Sequence, residues 1–139
     1  MKRKNLISKI IILTTAFMIS CSIPATASNY KDTAFDYYFR TSAWGSSTTE
    51  FREKLDDSSA YMKCDSTTYP YIAQVVAAQS FFDLHYDASG GHKYTFNTGT
   101  VYKMINYVYE NNYKYAAIYA KRLYSYDYFA SGLWSPDSI

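Results

Sequence analysis

From residue 34 onward, aromatic and apolar side chains recur at every second position, a period that belongs to strands. Phe35, Tyr37 and Phe39 alternate with Asp36, Tyr38 and Arg40, the pattern of a strand with one buried face. Residues 101–109 and 113–120 alternate in the same way. Between them Glu110-Asn111-Asn112 can turn the chain, because asparagine tolerates a left-handed backbone, so the two runs predict a hairpin. A second hairpin is expected from a strand over 50–55, a turn at Asp56-Asp57-Ser58 and a strand over 59–64. Ser47 with Glu50 also matches a helix capping box there. Residues 69–79 hold Ile72, Val75 and Val76 and favour a strand, although their alanines suit a helix. Residues 80–86 either extend it or form the next strand. Ala88-Ser89-Gly90-Gly91 and Asn97-Thr98-Gly99 read as turns, and residues 127–134 are a last aromatic run. Short strands at close intervals predict an all-β fold, a small antiparallel sandwich or barrel.

Tyrosine fills the aromatic positions: the chain has 17, all beyond residue 28. A tyrosine ring packs on a pleated surface, but its hydroxyl needs a partner or water. The rings therefore serve as scaffold, with an exposed platform on another face as the functional alternative. The candidate binding residues are Trp44 (in a Ser/Thr-rich loop over 42–49), Tyr107, Tyr115 and Trp134. Trp134 is read first as a plug at the end of the core and second as a partner-binding anchor. Gly132 lets backbone approach closely beside it, and Pro136 stops strand pairing.

The first 27 residues read as a secretory signal peptide with a signal helix. Lys2, Arg3, Lys4 and Lys9 form a positive start, residues 10–19 an apolar run, and Ala25-Thr26-Ala27 after Pro24 a cleavage pattern between Ala27 and Ser28. The run is short for a membrane span, which needs about 20 apolar residues. Met18-Ile19-Ser20-Cys21 offers the alternative of a lipoprotein anchored through Cys21. Cleavage after Ala27 leaves a single secreted domain over 28–139 with no membrane span. It also removes four of the 14 basic residues and none of the 12 acidic ones, so ten face twelve and the net charge is −2. Such a domain has no basic footprint for nucleic acid. Cys64 is then the lone cysteine, either a buried thiol beside Ala60 and Met62 or one half of an intermolecular pair.

Catalytic constellations are weak. His85 and His92 lack further ligands at zinc spacing, and Asp83, His85 and Asp87 on one strand face read as a polar edge, so no metal or cofactor is expected. Cys64 has no recognisable orienting residue or oxyanion loop, and there is no phosphate loop or nucleophile elbow. The chain is expected not to be an enzyme.

Arg52-Glu53-Lys54 with Asp57-Ser58-Ser59-Ala60-Tyr61-Met62-Lys63 resembles an R-x-K … D-S-S-x-Y-M-K segment. Ser131-Gly132-Leu133-Trp134-Ser135-Pro136-Asp137-Ser138 resembles an S-G-x-W-S-P-D-S terminus. With Asn106-Tyr107-Val108-Tyr109-Glu110, these resemble a family of small exported Gram-positive proteins of undefined function. The resemblance implies export, with some members beside transport genes of the bacteriocin-export kind, and it implies no catalytic residues. The expected function is a secreted binding module for a protein, peptide or cell-wall ligand, using a Tyr/Trp surface. A bacteriocin-like or protective secreted effector is the alternative.

Overall fold

The computed structural model describes residues 29–81 and 83–139. The expected signal segment, the expected cut between Ala27 and Ser28, and Cys21 lie outside the described residues.

Among the described residues every regular element is a strand. In chain order they are β1 (Thr33–Phe39), β2 (Ser46–Thr48), β3 (Arg52–Glu53), β4 (Ala60–Thr67), β5 (Tyr71–Ala78), β6 (Tyr86–Asp87), β7 (Tyr94–Phe96), β8 (Val101–Met104), β9 (Tyr115–Arg122) and β10 (Tyr128–Ser135). One antiparallel sheet has the order β1-β10-β4-β8. In the second, β9 and β5 are central, β2 and β3 pair along the far side of β9, and β6 and β7 along the far side of β5. The two sheets share one core, a two-layer arrangement.

The core shows why the alternation works. The first sheet contributes large side chains: Phe35, Tyr37, Phe39, Met62, Tyr128 and Trp134. The facing strands β5 and β9 contribute mainly small ones, Ala73, Ala77, Ala116 and Ala120. Large side chains facing small ones let the two layers interdigitate. The rings also meet one another. Tyr37 lies edge-on to Tyr71 at 5.9 Å, and Tyr71 stacks on Phe96 at 5.3 Å. Such pairs contribute about 0.5–1.5 kcal/mol each beyond burial. Two of the hydroxyls find carbonyl partners, Tyr37 donating to Ile118 at 2.9 Å and Tyr128 to Pro70 at 2.9 Å, whereas the buried Tyr71 hydroxyl has no hydrogen-bond partner among the described residues. Cys64 is a free, buried thiol in this core, and burial raises its pKa.

Two expected pairings are corrected. Residues 50–55 and 59–64 do not form a hairpin. Only Arg52 and Glu53 are strand, they pair with β9, and the chain then crosses to β4 in the other sheet. Residues 101–109 and 113–120 do not pair either. β8 ends at Met104 and lies beside β4, whereas β9 lies beside β5. The alternation persists past the end of β8, with Asn106 and Val108 buried. The ladder does not: the Tyr107 N–H donates to the Ala88 carbonyl and the Asn106 amide to those of Ser58 and Met104. Period two reports which side chains are buried, and a crossing segment keeps it as faithfully as a strand. The turn at 110–112 is present, with Asn112 at φ 59°. Among the described residues of 80–86 only Tyr86 is strand, in the two-residue β6 that pairs with β5.

Candidate functional site

The two ends of the sandwich differ. At one end the chain is sealed by a buried polar network. Lys54 and Asp137 are fully buried, and the Lys54 ammonium donates to Asp137 Oδ1 at 2.6 Å and to the Ser58 carbonyl at 2.6 Å. Asp137 Oδ2 accepts from the Asn29 N–H at 2.7 Å and the Leu55 N–H at 3.3 Å. Arg52 donates to Asn29 Oδ1 at 2.6 Å and lies over the Trp134 ring at 5.5 Å. Ser135 donates to the Asp137 carbonyl at 2.8 Å. The Arg52–Ser58 segment and the Ser131–Ser138 terminus, distant in sequence, thus meet here. Their polar groups are spent on one another, although exposed rings, Tyr30, Tyr107 and Tyr109, flank this end too.

The opposite end carries rings. Three connections meet there: residues 40–45 after β1, 68–70 before β5 and 123–127 between β9 and β10. Tyr69 packs against Tyr124 at 5.6 Å, Tyr126 at 5.3 Å and Tyr128 at 5.5 Å. Tyr38 and Phe129, opposite one another in register, stack at 4.2 Å, and Arg40 covers Tyr38 at 4.9 Å. Phe129 is 64% exposed and Trp44 is 92% exposed. Leu123, Tyr124 and Tyr126 are exposed as well.

These loops are held in place. Asp127 Oδ1 accepts from the Thr41 N–H at 2.6 Å and the Thr41 hydroxyl at 2.8 Å, and Tyr38 donates to Oδ2 at 3.4 Å. The Thr41 N–H, then its hydroxyl, hold the Asp127 carboxyl below the usual aspartate value. The Arg122 N–H donates to the Gly45 carbonyl at 2.9 Å, which fixes the residue after Trp44. Gly45 has φ 65°, and a Cβ there would collide with the Arg122 side chain.

The four aromatics picked from sequence are not brought together. Trp44 stands at the ring-bearing end. Tyr107 is exposed in the connection after β8 and lies against Gly90. Tyr115, at the start of β9, packs on Phe81 at 4.4 Å. Both belong to the sealed end. Trp134 is 1% exposed, a core side chain with no surface to offer a partner. Sequence reasoning missed Tyr38, Tyr124, Tyr126 and Phe129. Tyr38 had a signal, because it sits on the polar side of the β1 alternation. Asp83, His85 and Asp87 do not converge: the His85 ring packs on Tyr119 at 5.5 Å, and Asp87 accepts from Ser89. Among the described residues no group of three or more His, Cys, Asp or Glu could hold a metal. No described helix is long and apolar enough to cross a membrane.

Two antiparallel sheets over an aromatic core, closed at one end and ring-bearing at the other, define a small all-β protein. The chain belongs to the family described as "Protein of unknown function (DUF2712)", which matches residues 23–138. Comparison with the curated proteins and with the solved structures returns no match.

Proposed function

We propose that this chain is an exported, non-enzymatic binding module that holds a cell-wall polymer with its ring-bearing end. The observation that carries the reading is the exposed set Trp44, Tyr124 and Tyr126, on loops fixed by hydrogen bonds, with Phe129 on the outer face of β10. Tryptophan and tyrosine dominate binding hot spots because they bury a large area at low entropic cost. Leaving such rings in water serves no core-packing purpose, since Tyr69 and Tyr128 already close the core at this end. A flat ring also offers one face to a sugar ring or an extended chain. Export is supported by the basic start, apolar run and Ala25-Thr26-Ala27 pattern of residues 1–27.

Co-sedimentation of the purified protein with Gram-positive cell-wall preparations tests the reading. The protein is expected to pellet with the walls. A W44A/F129A variant is expected to lose at least about tenfold in affinity, since hot-spot truncations cost about 2 kcal/mol or more. Failure of the unaltered protein to pellet, or equal binding by the variant, overturns it.

A further inference from the structure

The outer face of the second sheet carries a groove of about 300 Å³. Its floor is β5, where Ile72 and Gln74 point outward because Tyr71 and Ala73 are in the core. On β9, Tyr119 and Lys121 share that face, since Ile118 and Ala120 point inward. On the other flank Lys93 precedes Tyr94, which packs against the core. β9 and β7 lie on opposite sides of β5. The two flanking strands are therefore about 10 Å apart, with Lys121 on β9 and Lys93 one residue before β7. Two lysine side chains reaching in from that spacing converge on a small group above β5.

The charge at this groove runs against the rest of the domain. Beyond the signal segment acidic residues outnumber basic ones twelve to ten, yet the lining includes Lys93, Lys121 and Arg122 and no carboxylate. None of the three is in an ion pair among the described residues. Two acids outside the lining feel these cations, Asp87 the Lys93 ammonium and Asp127 the Arg122 guanidinium, but Asp87 Oδ1 is taken by the Ser89 N–H at 2.8 Å and hydroxyl at 2.6 Å, and Asp127 Oδ1 by the Thr41 N–H and hydroxyl. Ile72 and Tyr119 make the walls partly apolar, which strengthens attraction for an anion. Point-charge ammonium groups arriving from two sides suit a tetrahedral oxyanion; a planar carboxylate is better served by a guanidinium fork.

We propose that the Lys93–Lys121 groove is a phosphate-binding site. Its ligand is either inorganic phosphate or a phosphate carried on a larger molecule. The inference goes beyond the ring-bearing end and does not depend on it. Amide-resolved NMR titration at constant ionic strength tests it, with inorganic phosphate and polyphosphate as separate probes. Saturable shifts at Ile72, Gln74 and Lys121 are expected, with a Kd of about 1–10 mM for inorganic phosphate. In K93A/K121A the Kd should rise at least about tenfold. Both lysines are exposed, so the rest of that variant's spectrum should be unchanged. Tighter binding of polyphosphate assigns the site to a carried phosphate, and equal binding assigns it to the free ion. No saturable shift with either probe, or an unchanged Kd in K93A/K121A, overturns the proposal. W44A/F129A should keep the phosphate shifts, so wall binding and phosphate binding can fail separately.

Discussion

Replacing Asp137 with alanine should cost far more than a typical substitution two residues from the end of the described chain. The side chain is fully buried and holds three donors: the Lys54 ammonium at 2.6 Å, the Asn29 N–H at 2.7 Å and the Leu55 N–H at 3.3 Å. D137A leaves a buried ammonium without its main counter-charge. Removing one partner from such a pair costs about 3–5 kcal/mol. For a domain of this size each kcal/mol lowers Tm by about 4 °C, so a fall of about 12–20 °C is expected. Urea and thermal denaturation followed by circular dichroism measure it. The companion K54M/D137L removes both charges and fills the space with apolar groups of similar volume, an exchange that is often near neutral. The double variant should therefore be more stable than D137A. A loss below about 1 kcal/mol in D137A, or a double-variant loss equal to the sum of the singles, would refute the reasoning.

Gly132→Ala should destabilise by at least about 1–3 kcal/mol, seen in the urea midpoint, because its Cβ would overlap the Lys63 carbonyl oxygen and crowd the Phe35 ring. Cys64 is fully buried and burial raises its pKa, so a thiol reagent at neutral pH should label it only as fast as the protein opens. The Asp127 carboxyl titrates below its unfolded value, so its contribution is present above the ordinary aspartate pKa of about 3.9 and is lost as pH falls through the lower folded value. D127N should flatten the acid limb of the stability–pH curve, and an unchanged limb counts against the Thr41–Asp127 contact.

The all-β character could be read from the chain because burial and alternation coincide. Phe35, Tyr37 and Phe39 are in the core, as their spacing required. Partner choice was another matter. Met104, Asn106 and Val108 keep the two-residue period straight through the point where β8 stops. Nothing local marks the crossing, because it is made by hydrogen bonds to Ser58 and Ala88, remote in sequence. The same limit applies to the surface. Trp44 could be picked by type and by its loop, but Phe129 reads like Phe35 until its parity relative to Tyr128 and Ala130 is known. The lysine groove was invisible for a related reason. Lys93 and Lys121 are far apart in the chain and meet only because β5 passes between β7 and β9.

The order β1-β10-β4-β8 has a consequence for when this chain can fold. The first strand has the last as its neighbour in the sheet, and their register joins Thr33 to Trp134 and Phe39 to Tyr128. Until β10 arrives, β1 has no ladder, and β4 lacks the partner on one of its sides. Loop closure over so many residues comes late and slowly. A growing chain cannot assemble this layer early. It stays unzipped until its final strand is free to enter between the first and the fourth.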